Sequence, residues 1–559
     1  MRGLPKVTLA LSRAVAGTCV GLLFATAVSA TDLSLFYNVR GYTWSDAGMV
    51  QFEALLFDKS GRVVGTGRKS EFADRNDLTR IDGGGAVMLP GLTDSHGHIM
   101  SLGHARLAVD LVGAGDVQEV LDRVAQFAAE NPELPWIQGR GWNQVLWPEQ
   151  VFPTAGDLDS VVSDRPVWLE RIDGHAAWAN SQAMKIAGID TQTDPDGGYI
   201  VRDATGRPTG VFVDTAMGFV SRVIPPPTAA GHERALELAI AELNRLGITG
   251  VHDAGVDVAD VERYRKFADE GRLNIRVYAM LADAQENLDA FDEPLIGYAD
   301  DRLMVRSVKL YADGALGSRG AALLEPYTDD PGNRGLLRHD QAALTDSVRK
   351  AIEKGFQVSI HAIGDAGNRA ALDALVDADA CGPSRLRHRI EHSQVVAAND
   401  FPRFKALGII ASMQPTHATS DMNMAEDRVG HERIKGAYAW RRFLDQGTVI
   451  AAGSDFPVEH PNPFHGLYSA TTRMDHQGRP AGGWYADQAM TLAEALRAFT
   501  LDAAYAGHQE DQLGSLEPGK WADFIVIDRD IFEVPTAELW QVQVLETWVG
   551  GLRVYADGA

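Results

Sequence analysis

The chain has 559 residues, 45% of them hydrophobic and 23% charged, and a formal net charge of −24. Those fractions describe a globular protein with ample core, and so acidic a surface excludes nucleic acid and anionic membrane as partners, because both repel it. Once the N-terminal leader described next is removed, Cys381 is the one cysteine left, so no internal disulfide is available and the core must hold the fold.

Arg2, Lys6 and Arg13 are the only charges before Thr31. A largely apolar stretch from Ala14 to Val28 ends in Val28-Ser29-Ala30, whose small residues fit signal-peptidase cleavage before Thr31. Residues 1–30 are therefore read as a secretory signal peptide. The expectation is a mature protein exported across the inner membrane into the periplasm, with no membrane anchor after cleavage. No later segment reaches the ~18 uninterrupted apolar residues of a membrane helix.

From Thr31 to about Met88 the chain reads as short strands and turns, such as Ala54–Phe57, a turn over Asp58–Arg62, then Val63-Val64. Residues 514–559 have the same character, with strand candidates at Asp523–Asp528 and Val542–Val549. The two ends are expected to pair into one small β domain. Between them, residues 89–513 alternate short apolar runs with helix-like stretches such as Glu233–Leu246 and Asn368–Ala378. The runs are Val87–Thr93, Ile248–His252, Ile275–Met280, Val305–Leu310, Gln357–Ile360, Leu386–Glu391, Ile409–Met413 and Thr448–Ala452. Eight such βα units predict an α/β fold, a closed (β/α)8 barrel. The stretch from about 113 to 225, rich in Trp, Pro, Gly and Asp, is too long for one helix and reads as an insertion after the first barrel strand, ending at Pro225-Pro226-Pro227.

Barrel enzymes place their chemistry at the C-terminal ends of the strands. In Asp94-Ser95-His96-Gly97-His98, two His two residues apart on an extended segment point the same way, so both can reach one cation. His361 follows the fifth run; taken alone, such a His is more often structural. Of His388 and His392, which share a face, His392 lies nearer the strand end and is the ligand candidate. Asp455 ends the eighth run, beside the first in a closed barrel, although an Asp there can also cap a turn. Lys309 sits near the inner end of the fourth run, where a charged amine is costly to bury. It must be neutral, modified by CO₂ into an anionic oxygen ligand, or paired with a carboxylate such as Asp313.

Taken together, these segments resemble the amidohydrolase superfamily. PGLTDSHGHI from Pro90, VKLYADGALGSR from Val308, SIHAIGD from Ser359, HRIEHSQ from His388, SMQPTH from Ser412, GSDFPV from Gly453 and GSLEPGKWADFIVID from Gly514 look like amidohydrolase family 3, the branch that includes N-substituted formamide deformylases. The resemblance implies a distorted barrel with a β-sandwich from both chain ends. It also implies zinc or a similar divalent ion, one or two per chain. His96 and His98 with Asp455 would hold one ion, His361 and His392 the second, and a carboxylated Lys309 would bridge them. Asp455 would serve as general base, and His417 or His361 would stabilise the developing oxyanion. In the insertion, GRGWNQ from Gly139, PVWLERIDGHAAWAN from Pro166 and GGYIVRDATGRPTGVFVD from Gly197 also match. By the same resemblance Trp142, Asp173 and His175 lie near the substrate entrance, and Arg319 is a candidate at that rim.

The implied reaction is hydrolysis of a small-molecule amide or other non-peptide C–N bond by metal-activated water. A lactone, cyclic amide, deamination or phosphoester substrate remains open on the same site, as does a binding or regulatory protein that has lost turnover, and the oligomeric state is open too. There is no Gly-x-Ser-x-Gly elbow and no phosphate-binding Gly-x-x-x-x-Gly-Lys loop. His232-Glu233 and His431-Glu432 lack the second His a zinc protease helix needs.

Overall fold

The computed structural model describes residues 32–558, except 173, 190–192, 196 and 380–383. The leader, Cys381 and Asp173 therefore lie outside the described residues. The central sheet contains eight parallel strands: β1 (Leu92–Gly97), β2 (Ile248–Val256), β3 (Arg276–Ala282), β4 (Leu303–Tyr311), β5 (Gln357–Ala362), β6 (Arg389–His392), β7 (Ile410–Met413) and β8 (Ile450–Ala452). They pair in chain order from β1 to β8, and a parallel bridge between Gly97 and Phe456 brings the two ends together. The ring is thus a nearly closed barrel. Helices such as Ala229–Arg245 and Asp365–Asp379 follow the alternation expected of βα units. The strands are buried along nearly their whole length, as both faces of a parallel sheet usually are, which is why they read as continuous apolar runs rather than as an alternation.

One expected strand, Val87–Thr93, is in fact two. Val87–Pro90 belongs to the terminal sheet, and Leu92–Gly97 opens the barrel. The break is at Gly91, where a Cβ would lie 2.3 Å from the Thr249 hydroxyl oxygen, so the chain turns there against β2 with no room for a side chain.

Both chain ends share one eight-stranded sheet. Leu33–Ser45, Gly48–Asp58, Val63–Gly67, Leu78–Asp82 and Val87–Pro90 come from the N-terminal part, and Phe524–Ile527, Val544–Val549 and Leu552–Ala556 from the C-terminal part. Val87–Pro90 runs antiparallel to Phe524–Ile527 and is the seam between them. The sheet folds over so that Phe36 packs edge-on against Phe524 and Trp548, with ring centroids 5.6 and 5.8 Å apart. Arg276, at the start of β3, donates to both oxygens of Asp523 (2.6 and 2.9 Å), a buried pair that fixes the sheet to the floor of the barrel.

The insertion carries its own six-stranded sheet, ordered Gly198–Arg202, Pro208–Asp214, Ala176–Ala179, Val167–Arg171, Ile137–Trp142, Val109–Asp110. Trp142, Trp168 and Trp178 are fully buried in it. This corrects the expectation for Trp142: its indole N–H donates to the Leu169 carbonyl at 2.8 Å, and its ring packs on Trp147, Phe152 and Trp178, so it supports the insertion's core instead of facing substrate.

Candidate metal centre

Five imidazoles and one carboxylate meet at the C-terminal mouth of the barrel, where His96, His98, His361, His392, His417 and Asp455 all line one cavity of about 370 Å³. Gly97 makes the first pair possible. A Cβ there would lie 2.3 Å from the Phe456 ring, so only glycine lets β8's following residues close against β1 between the two His. The backbone of Asp455 donates to the His96 carbonyl at 2.7 Å and completes that closure. Asp455 (φ 61°) and His392 (φ 73°) both adopt left-handed backbone, a conformation that costs free energy and here turns each side chain inward at a strand end.

Each ring is oriented from behind. The Nδ1 of His96 lies 2.5 Å from Glu391 Oε2; the Nδ1–H of His98 donates to the Ala254 carbonyl at 2.9 Å; the Nδ1 of His392 lies 2.8 Å from Gln414 Oε1. With Nδ1 so engaged, the Nε2 atom of each faces the cavity, and the bond at Nδ1 orients the ring as it does in a metal-ligating His. His96 Nε2 is 3.2 Å from Lys309 Nζ and 3.7 Å from Asp455 Oδ1, and His98 Nε2 is 3.0 Å from Asp455 Oδ1. His417 Nε2 is 3.8 Å from Asp455 Oδ2.

Burial pushes His96 down to about 4 and His361 down to about 3, and holds His392 well below its ordinary value. These three imidazoles are therefore neutral, which is the form that ligates. Burial alone would raise Asp455, but the His98 hydrogen bond and the neighbouring His96, His392 and His417 rings outweigh it and hold the carboxylate far below its usual range. Burial brings Lys309 down to about 8, against the opposing pull of Glu391 and Asp455.

The donor set fits a divalent cation that takes nitrogen and oxygen ligands, zinc among them. The Nε2 atoms of His361 and His417 are buried without a hydrogen-bond partner, and such orphaned atoms call for a reason. Two groups have ligand atoms within 4.8 Å of one another: His96, His98 and Asp455, and His392, His417 and Asp455. The first is the trio expected from the sequence. In the second, His417 stands where His361 was expected, while His361 Nε2 lies 3.7 Å from Asp313 Oδ1. Lys309 is not paired with Asp313, whose oxygens accept the backbone N–H groups of Ala322, Ile363 and Gly364.

Sequence reasoning missed the layer behind the ligands. Arg389 and Glu391, both fully buried on β6, form a pair in which Arg389 Nε donates to Glu391 Oε1 at 2.7 Å; Arg389 also donates to the Ser95 carbonyl and the Ser412 hydroxyl, both at 2.7 Å. The signal was present as two opposite charges two apart, Arg389 and Glu391, on one face of a strand. Burial would raise Glu391, but Arg389 and then His96 outweigh it and hold it well below its ordinary value of 4.5. A carboxylate depressed in the folded state contributes stability above its unfolded pKa, and that stability is lost as pH falls through the folded value. We expect the denaturation midpoint of the metal-free protein to drop below about pH 4.5. Glu391→Gln should flatten that drop and cost about 3–5 kcal/mol at pH 7 by leaving Arg389 unpaired. Urea titrations at pH 7 and pH 4 check both; equal midpoints for variant and parent would refute the argument.

Of the remaining predicted contacts, His417 lines the cavity. Arg319 does not: it makes a two-pronged pair with Asp329 at 3.2 and 2.9 Å. His175 sits on the insertion, largely exposed, with its Nδ1 2.8 Å from Asp214 Oδ1.

Residues 79–555 match the amidohydrolase family Amidohydro_3. A Bacillus subtilis protein, YtcJ, is 33% identical over 514 residues, covering 89% of this chain and 95% of its own. The N-substituted formamide deformylase of Arthrobacter pascens is 28% identical, covering 88% of this chain and 93% of its own. Among solved structures, an uncharacterized metal-dependent hydrolase from Pyrococcus horikoshii superposes with a TM-score of 0.73 at 28% identity, covering 90% of this chain and 99% of that one.

Proposed function

The chain belongs to the amidohydrolase family, and on that premise we propose that it is an exported metal-dependent hydrolase that cleaves a non-peptide amide or other carbon–nitrogen bond in a small molecule. One observation carries the reading: five imidazoles, of which burial holds His96, His361 and His392 neutral, surround an ionised Asp455 in a cavity of about 370 Å³. That volume falls within the range of small-molecule sites, ~300–1,000 Å³.

His96, His98 and Asp455 would hold one divalent ion, zinc being our choice, and His392 with His417 or His361 a second. Such an ion supplies Lewis acidity, lowering the pKa of a water toward neutrality and polarising a carbonyl oxygen. Asp455 accepts the proton of the attacking water and delivers it to the leaving nitrogen. Whichever of His361 and His417 is not engaged as a ligand presents its Nε2–H to the carbonyl oxygen as negative charge develops there. Lys309, brought down to about 8 by burial, carries a far larger neutral fraction near neutral pH than an exposed lysine does. If that amine added to CO₂, an N–C bond would form as one C=O π bond opened and a proton left, and the carbamate would add an anionic oxygen donor to the His and Asp set that would hold the metal.

Elemental mass spectrometry combined with amine release from a panel of N-substituted formamides and primary amides tests the reading. We expect bound metal and turnover of at least one amide. A protein that retains no metal after reconstitution with zinc or manganese would sink it, as would one that hydrolyses a lactone or phosphoester in the same panel but no amide. Export is tested separately: the periplasmic fraction should contain a chain beginning at Thr31, and an uncleaved cytoplasmic chain would refute it.

A further inference from the structure

We infer that Asp94 is a positioning residue of the metal centre: its carboxylate ties together the two strand ends that carry His96 and Asp455, and so sets the spacing at which these side chains can share one ion. The inference rests on the metal-dependent reading of that site. The eight barrel strands pair as ladders in chain order. Among the described residues, however, the seam that closes the ring, between β8 and β1, has no ladder, only the isolated bridge between Gly97 and Phe456. By contrast, β7 and β8 are joined at three successive residue pairs. The centre of the site falls on this weakly paired seam, with His96 and His98 at the end of β1 and Asp455 just beyond β8.

Asp94 supplies what the ladder does not. Its side chain is buried, and its Oδ1 accepts the His96 backbone N–H at 3.0 Å. Both of its oxygens share the Ser454 backbone N–H at 3.1 Å, and Oδ2 accepts the Ser454 hydroxyl at 2.6 Å. The oxygen of that hydroxyl accepts the Phe456 N–H in turn, at 3.2 Å. The residues on either side of Asp455 are thus held by a group from β1, one directly and one through Ser454. Asp455 needs such a hold, because at φ 61° its backbone is left-handed, a conformation a non-glycine residue keeps only when its surroundings enforce it. Gly453 leaves the room: a Cβ there would lie 2.5 Å from Asp94 Oδ1 and 2.6 Å from the His96 nitrogen. Asp94 does not itself line the cavity, so it acts through the backbone of the two residues that do. A site is only as exact as the shell that supports it, and here one carboxylate supports two ligands from opposite sides of the ring.

The test loads the protein with cobalt(II), whose visible absorption reports the ligand geometry around the ion, and measures affinity by competition with a chelator. Asp94→Asn keeps the shape but turns an amide N–H toward donors. We expect it to weaken cobalt binding about ten- to a hundredfold and to shift the absorption band. Ser454→Ala, which loses the hydroxyl and keeps the backbone bond, should weaken binding by less, and Ser454→Thr should restore the parent value. Thr547→Val is the control, removing from the terminal sheet a buried hydroxyl bond of 2.6 Å to the Asn244 carbonyl. It should lower the melting temperature and leave affinity and band unchanged. Parent-like affinity and band in both Asp94→Asn and Ser454→Ala overturn the positioning role. So does an equal loss in Thr547→Val, which would make the effect one of general stability. If Asp94→Asn does not fold, the two Ser454 variants decide the question. A parent protein that takes up no cobalt overturns the hydrolase reading as well, which keeps the two failures distinct.

Discussion

Asp455→Asn should yield a soluble, folded protein that turns over its substrate about a thousandfold more slowly than the parent, or worse. The backbone contact that closes the barrel, Asp455 N–H to the His96 carbonyl, does not depend on the side chain, and Asn is nearly the same size. What the substitution removes is the charge at the centre of the site. One oxygen of Asp455 lies 3.0 Å from His98 Nε2 and 3.7 Å from His96 Nε2, and the other 3.8 Å from His417 Nε2. An amide at that point can accept no proton and is a weaker ligand. Circular dichroism and elemental analysis separate the two effects: a folded variant with its metal and no turnover isolates the proton-transfer role. A folded variant with near-parent kcat would eliminate Asp455 as the base.

Lys309→Ala should lower the metal content from about two ions to one or none and reduce kcat by a hundredfold or more, on the magnitude seen when groups supporting a metal site are lost. The physical case is the isolation of the amine. Lys309 is 1% exposed, and its Nζ has His96 Nε2 at 3.2 Å and the Tyr311 ring at 4.7 Å, yet no carboxylate within pairing distance among the described residues. Burial disfavours the protonated form and no carboxylate pairs with it directly, so loss of the side chain should not destabilise the fold as loss of a paired lysine would. Labelled bicarbonate gives an independent readout: a carbamate carbon resonance in the parent that is absent from the variant. One metal in both proteins, with no carbamate signal, would leave the hydrolase and reduce Lys309 to a positively charged contact.

The barrel was readable because most of its strands are rich in apolar residues and buried on both faces, which leaves no alternation to confuse the reading. His96, His98, His392 and Asp455 could be read because they lie at or just beyond strand ends, and ring closure places the ends of the first and eighth runs side by side. The boundary at Gly91 was hidden because Val87–Thr93 is uniformly apolar, and only the close approach of Thr249 divides it. Arg389 and Glu391 were passed over because charges within a strand ordinarily face solvent; that they face each other inside the barrel depends on contacts to Ser95 and Ser412 on other strands. His417 was offered only as an oxyanion donor, and the folded turn over Pro415–Asp421 brings it close enough to Asp455 to serve as a ligand as well. Trp142 was placed near the substrate entrance by resemblance alone, whereas the insertion has a core of its own to fill.

The seam between Val87–Pro90 and Phe524–Ile527 bears on how the molecule comes into being. Leu89 pairs with Ile525, so the first strands made cannot complete their sheet until nearly the last residues have been synthesised. Contacts so distant along the chain form late and slowly, because their loop entropy must be paid before they return anything. A ribosome-bound or truncated chain would therefore expose an unpaired sheet edge and the apolar faces of Phe36 and Phe57, surfaces that recruit chaperones or aggregate. If the chain is exported as proposed, the same delay is an advantage: the native state is topologically out of reach until the whole chain has passed through the translocation channel.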